Sequence, residues 1–323
     1  MDKLLNIIKN IFSISFTEDY LRYKVVLFGI KLKFPRPIVL IRKKSNRFYK
    51  YKKEGRDITT LPKATGQVRN IQLANLAIML EIDKVCKSND IKYWIDYGNL
   101  LGAIRHKGYI PWDDDIDISM MREDFDKFVS LFEDKVSNKD LYLKHMFNKG
   151  SYLLKVCHKK CKYLFVDIFI YDYCKGGMND EEKIRYTEEL EEKRSEFLKN
   201  ITFENGQELY EKYKQLRNDV QKDLDFNDPN NDLMYYIEFG HQPYIRNNWV
   251  MNKKDILPLQ EIEYEGFKFP TVNNPHNHLV EVFGENYMGY PSKIDFGHGA
   301  YAQLSKSDKE VIKELIKTLG DIE

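Results

Sequence analysis

Four cysteines among 323 residues are too few for a disulfide scaffold, and this points to a reducing, cytosolic setting. No stretch approaches the roughly 18 consecutive apolar residues of a membrane-spanning helix. The N-terminus lacks the basic–apolar–cleavage pattern of a secretory signal. Internal repeats and low-complexity linkers are also missing. Charge of one sign is not in excess: 51 Lys and Arg stand against 50 Asp and Glu, which argues against a nucleic-acid-coating protein. What is present is globular composition, 42% hydrophobic and 31% charged, enough for one large core or two modest ones.

The balanced total hides an asymmetry. Residues 1–63 hold 16 basic and 5 acidic side chains, a net +11, which leaves −10 for the rest. Within residues 1–60, apolar and basic groups alternate (LLNIIKNIF, YLRYKVVLFGIKLKF, IVLIRKK), and Pro35 and Pro37 interrupt any continuous helix. Such a segment suits a docking arm for an anionic membrane surface, with lysine stems lying over apolar groups. A partly packed N-terminal subdomain with solvated lysines is the alternative.

Beyond the arm, apolar spacing predicts a helix over Gln67–Ser88 and a short strand over Ile91–Asp96. A glycine-containing turn at Gly98–Gly102 and a short helix over Leu100–Arg105 follow. Tyr163–Tyr171 reads as a strand. Two charged helices are expected at about 180–199 and 206–223, and a turn at Asn227–Asp232. Short strands punctuated by prolines occupy Trp249–Tyr290. Ser307 with Glu310 reads as the capping box of a terminal helix.

The chemistry concentrates in Pro111-Trp-Asp-Asp-Asp-Ile-Asp-Ile-Ser119. In an extended strand Asp113, Asp115 and Asp117 share one face while Ile116 and Ile118 face a core. Clustered carboxylates repel unless a cation neutralises them, and hard oxygen ligands suit Mg2+ or Mn2+. Arg105, His106 and Lys107 form a compact basic group able to meet phosphate. Gly98 and Gly102 allow close backbone approach. Asp167, inside the apolar strand FVDIF, needs a partner: a metal, an incoming hydroxyl, or a salt bridge with Arg or Lys.

The run from Tyr93 through Gly98, Asn99, Gly102, Arg105, His106, Lys107, Pro111, Trp112, Asp113 and Asp115 to Asp117 closely resembles the signature of the LicD family of phosphocholine transferases and related enzymes. Fukutin-related ribitol-phosphate transferases are distant relatives of that family. Further family-like pieces are Leu61-Pro62, the Asp167 strand and the segment from Ile256 to Met288, so the resemblance spans about residues 61–291. It implies an α/β fold, a mixed sheet of nucleotidyltransferase type with added helices. The catalytic core would occupy 61–180, with a helical insertion and acceptor-side region over 181–323. It also implies that Asp115, Asp117 and Asp167 hold Mg2+ or Mn2+, and that Arg105 and His106 steady phosphate oxygens. Gly98, Asn99, Gly102, Lys107 and Trp112 would line the donor site. Asn99 stands where the family usually carries Thr.

The implied reaction moves a substituted phosphate from a CDP-linked alcohol to a hydroxyl of a glycan or lipid-linked glycan, releasing CMP. The setting would be the cytoplasmic face of a bacterial membrane, with no nucleic-acid partner. The alternatives are nucleotidyl transfer to a sugar or polyol phosphate, and a non-catalytic glycan- or lipid-binding protein that keeps the fold. Choline would call for an aromatic cage, for which Trp112, Tyr235, Tyr236, Tyr244 and Trp249 are candidates; a polyol would call for polar contacts.

Other residues carry weaker signals. Cys157, His158, Cys161 and Cys174 offer ligands for a structural Zn2+, with free cysteines as the alternative. Lys155 is a candidate phosphate contact, with a solvated lysine as the alternative, and His276 and His278 read as exposed members of the NNPHNH turn. Glu238, His241 and His298 are further candidates on the acceptor side.

Overall fold

The fold is that of a computed structural model, which describes residues 12–16, 22–27, 30–35, 47–148, 151–174, 228–230, 233–236, 250–292 and 303–320, with isolated positions between 179 and 218. The chain divides into two units, Met1–Pro62 and Lys63–Glu323. In the first, β1 (Phe12–Phe16), β2 (Arg22–Leu27) and β3 (Ile30–Pro35) form an antiparallel meander, and α1 spans Arg47–Lys53.

The second unit opens with α2 (Gln67–Ser88), the helix expected from its apolar spacing. Its inner face, with Ile71, Ile78, Ile82 and Val85, is buried. A short β4 (Trp94–Ile95) leads directly into α3 (Tyr97–His106), then β5 (Asp117–Met121) and α4 (Arg122–Lys135). Strands β6 (Leu141–Asn148), β7 (Ser151–His158) and β8 (Cys161–Cys174) follow. Later come β9 (Leu233–Tyr236), β10 (Val250–Asn252), α5 (Lys253–Ile256), β11 (Gln260–Tyr264), β12 (Phe267–Thr271), α6 (Pro275–Phe283) and α7 (Lys306–Lys317).

Among the described residues, seven strands form one mixed sheet. Its main path is β10-β9-β8-β5-β4, and β7, carrying β6, pairs with the first half of the long β8. β5 and β8 pair in parallel while their other neighbours are antiparallel, which makes this the expected mixed α/β architecture. Period-2 alternation sorts the two faces. Ile118 and Met120 of β5 and Val166, Ile168 and Ile170 of β8 enter the core with α2, α4 and α7. Asp117, Ser119, Phe165 and Asp167 take the opposite face. The placement of Asp167 among apolar neighbours is therefore a face assignment.

Several expectations shift. The strand over Ile91–Asp96 shrinks to two residues. Gly98, Asn99 and Gly102 lie within the first turns of α3, not in a turn ahead of it. The strand carrying the acids begins only at Asp117, so Asp113 and Asp115 precede it in an irregular segment. The NNPHNH turn is the start of α6: the Asn274 side chain accepts from Asn277 N, and Pro275 fills the first helical position, where its missing N–H costs nothing. The terminal capping box is Ser305 with Asp308, two residues earlier than expected. The helices expected near 180–199 and 206–223 lie largely outside the described residues. So do Glu238, His241, Tyr244, Trp249 and His298, and the side chains of Tyr235 and Tyr236.

Candidate functional site

Asp117 is paired in register with Asp167 across the parallel β5–β8 contact, so two carboxylates stand side by side on the sheet face that α3 packs against, opposite the core of α2, α4 and α7. Asp115 reaches the same point from the segment before β5. One carboxylate oxygen from each of Asp115, Asp117 and Asp167 lies within 4.8 Å of the others. A second group, Asp113, Asp114 and Asp115, meets the same limit and shares Asp115 with the first. Asp167 and Asp115 are only 6% and 9% exposed. Burial drives the Asp117 carboxyl well above the ordinary carboxylate range, and the charges of Asp115, Asp167, Asp113 and Asp96 push it the same way. Three hard oxygen donors with negative charge in excess fit a divalent ion such as Mg2+ or Mn2+.

Two neighbours prepare this cluster. The first is Asn99, buried on α3. Its Oδ1 accepts from Asp117 N at 2.6 Å. Its Nδ2 donates to the Asp115 carbonyl at 3.2 Å and to the Tyr264 hydroxyl at 2.8 Å. The amide thus clamps the backbone on both sides of Ile116 and ties it to β11. The second is Lys155, opposite Asp167 on β7. Its Nζ lies 2.7 Å from Asp167 Oδ1 and 2.9 Å from Oδ2, and sits 3.8 Å from the centroid of the Phe165 ring. The sequence leaves it between a phosphate contact and a solvated lysine; in the fold it is mostly buried and ion-paired. The β-register, which aligns Lys155 with Asp167, is the signal that finds it.

The entrance to α3 is braced by Asp96, which is fully buried. It accepts from Tyr97 N at 2.7 Å, Trp94 Nε1 at 3.1 Å and Ser119 Oγ at 2.6 Å, and meets His278 Nε2 at 2.5 Å. Burial alone would raise its pKa; the His278 charge and these hydrogen bonds hold it below the usual value. His278, expected on the surface, is therefore a buried partner. His276 is exposed and bonds the Tyr287 hydroxyl.

The glycines serve close packing within the protein. A Cβ on Gly98 would stand 2.8 Å from an Asp113 carboxylate oxygen, and one on Gly102 would stand 2.3 Å from the Gly108 carbonyl. Arg105 is 5% exposed. Its Nη1 donates to the carbonyls of Tyr287 at 3.0 Å and Gly289 at 3.3 Å, and its guanidinium carbon is 5.9 Å from the buried Trp112 ring. Its Nε donates to His106 Nε2 at 2.9 Å. Burial, reinforced by the Arg105 charge, pulls His106 down to about 3, so the imidazole is a neutral acceptor and not a second cation. Burial likewise lowers Arg105 to about 10, which leaves it charged. Lys107 ends α3 in the left-handed region at φ 55°, with its side chain exposed. Its carbonyl accepts from Glu265 N at 3.0 Å.

Glu265 went unnoticed in the sequence. It is 2% exposed at the β11–β12 turn, is bound by Arg69 at 2.7 Å and Lys63 at 3.1 Å, and accepts from Tyr109 N at 3.0 Å. It fastens the loop after α3 to the hairpin.

Cys157 and Cys161 are buried free thiols, each raised to about 11 by burial. His158 is also buried, and its Nδ1 accepts from Lys160 N at 3.2 Å. Among the described residues no metal-holding group includes them, and the Cys174 side chain lies outside those residues. A thiol held protonated by burial is a poor start for zinc.

Comparison with known proteins agrees with this geometry. Residues 90–207 match the model of the LicD/FKTN/FKRP nucleotidyltransferase domain, an interval that contains the whole acidic cluster, Asn99 and Lys155. The chain is similar to lipopolysaccharide cholinephosphotransferase LicD of Haemophilus influenzae, 27% identical over 260 residues, which cover 71% of this chain and 94% of that protein. An uncharacterized protein of Rickettsia typhi is 38% identical over 94 residues, 29% of this chain and 27% of that one. Ribitol 5-phosphate transferase FKRP of Homo sapiens is 45% identical over 40 residues, 12% of this chain and 8% of its own.

Proposed function

We propose that the chain, whose residues 90–207 match the LicD/FKTN/FKRP nucleotidyltransferase domain, is a LicD-family enzyme that transfers a substituted phosphate from a CDP-linked alcohol to a hydroxyl of a cell-surface glycan or its lipid-linked precursor, with release of CMP. The observation that carries this reading is the meeting of Asp115, Asp117 and Asp167 within 4.8 Å of one another at the start of β5. A divalent ion bound there would neutralise the donor diphosphate and stabilise charge as the leaving phosphate departs. Asp115, Asp117 and Asp167 would supply its protein oxygens. Asn99 holds the Asp115–Asp117 backbone at the spacing that task needs. Asp113, close to Gly98 on α3, would position the loop ahead of β5, and Asp167 or an acid nearby would orient the incoming hydroxyl and take its proton. Arg105, which holds the carbonyls of Tyr287 and Gly289, would add positive potential for the donor phosphates.

No helix among the described residues is long and apolar enough to cross a membrane. The +11 charge of residues 1–63 supports a peripheral place on an anionic membrane surface, where lipid-linked acceptors are found.

The test offers CDP-choline, CDP-glycerol and CDP-ribitol separately, with glycan acceptor and Mg2+, and measures CMP. One donor should give CMP that depends on metal and acceptor. The same donor should give none with Asp115→Asn, whose thermal unfolding should stay close to that of the parent chain. CMP from no donor, or an undiminished Asp115→Asn rate, refutes the reading. Pyrophosphate release from a nucleoside triphosphate would instead assign nucleotidyl transfer.

A further inference from the structure

The acidic pair continues across the sheet. Register aligns Lys144 of β6 with Lys155 of β7, Lys155 with Asp167 of β8, and Asp167 with Asp117 of β5. One row thus runs from two ammonium groups at the sheet edge to two carboxylates at its centre. Lys144 is exposed at the outer end. Lys155 is held from two sides: its Nζ meets both Asp167 oxygens at 2.7 and 2.9 Å, and the Phe165 ring underlies it at 3.8 Å. Its side chain is 14% exposed and that of Asp167 is 8%, so water screens the pair weakly.

From this geometry we propose that Lys155 is a positioning residue, a resident cation that competes with the divalent ion for Asp167 and so weakens metal binding when no donor is bound. The inference rests on the reading of Asp115, Asp117 and Asp167 as metal ligands. An ammonium bridging both oxygens takes part of the lone-pair capacity of Asp167 and offsets the negative charge that would attract a metal ion. Once the ion is bound, the two cations share one carboxylate and repel each other across it. Lys155 then has reason to turn toward an anion, and a donor diphosphate over the same sheet face is one. Resident ammonium, metal and diphosphate are thereby linked: the ion binds best when phosphate arrives to accept the ammonium. A purely structural salt bridge would predict the reverse, because its loss would loosen Asp167 and weaken the metal.

The experiment measures Mn2+ affinity of the full chain by electron paramagnetic resonance, without nucleotide. Lys155→Met should bind Mn2+ about tenfold more tightly than the parent, the scale of one charge acting on a buried carboxylate. Lys155→Arg should stay within about twofold of the parent, because it restores the competing cation. Lys155→Gln, which keeps polarity at the site, should follow Met and carries the comparison if Met does not fold. Equal or weaker Mn2+ binding in both neutral variants overturns the inference. Asp115→Asn separates the two ideas. If it loses Mn2+ while the neutral variants match the parent, only the role of Lys155 falls. If it binds Mn2+ as the parent does, the metal site itself is refuted, and this inference with it.

Discussion

Asn99→Ala tests the site at the point where sequence and family pattern part. The Asn99 side chain is 3% exposed and makes three hydrogen bonds: from Asp117 N at 2.6 Å, to Tyr264 Oη at 2.8 Å and to the Asp115 carbonyl at 3.2 Å. Alanine removes all three. The Asp117 N–H has no alternative acceptor built for it, and leaving a buried donor unsatisfied costs about 1–3 kcal/mol. The hydroxyl and the carbonyl can recover part of their loss by shifting or admitting water. The total comes to about 3 kcal/mol, a large share of the roughly 5–15 kcal/mol typical of a domain. With a urea dependence of about 3 kcal/mol per molar, the unfolding midpoint should fall by about 1 M. Because the lost bonds hold the backbone on both sides of Ile116, Mn2+ affinity should fall at least about tenfold under conditions where the variant remains folded. Asn99→Thr, the residue usual in the family, supplies one hydroxyl in place of an amide with a donor and an acceptor end. It should recover part of both losses. A midpoint within about 0.2 M of the parent, with unchanged Mn2+ binding, would refute the clamp.

The remaining predictions concern pH and the N-terminal unit. Burial would raise the Glu265 carboxyl, but Arg69, the Tyr109 N–H and Lys63 hold it below its usual 4.5. A depressed carboxylate pKa contributes stability that is present above the unfolded value and lost as pH falls through the folded value. Glu265→Gln should therefore cost about 2 kcal/mol at pH 7 by urea unfolding, and the gap to the parent should close below about pH 4.5. A gap that persists unchanged at pH 3 would show that packing, not charge, carries the effect. Removal of residues 1–60 should release the protein from vesicles rich in phosphatidylserine at low salt. Unchanged co-sedimentation would show that the arm does not dock the chain.

Local pattern made a good part of this molecule legible in advance. Apolar spacing placed α2 at its observed limits, because one buried face of a long helix repeats at i, i+3 and i+4. The FVDIF alternation put Val166 and Ile168 in the core and left Asp167 on the other face. The Asp-rich segment identifies the acids, although the condition for one shared strand face is not met: β5 begins only at Asp117, and Asp115 joins from irregular backbone. The Asn274-Pro275 start of α6 is legible as a cap followed by proline at the first helical position, although an Asn-rich run with proline equally suits a turn.

Sequence alone determined which groups could do chemistry here: a run of carboxylates preceded by the compact basic group Arg105-His106-Lys107, and a basic segment ahead of an acidic body. Tertiary structure decided how those groups are used. Lys155 finds Asp167 through strand register, His278 reaches Asp96 across 182 residues, and Asn99 is tied to Tyr264 across 165. His106, expected to meet phosphate as a cation, is made neutral by burial beside Arg105. Spacing along the chain reports only which face a side chain takes. The charge, partner and proton of a buried group depend on what the fold packs against it, and those neighbours come from far along the chain.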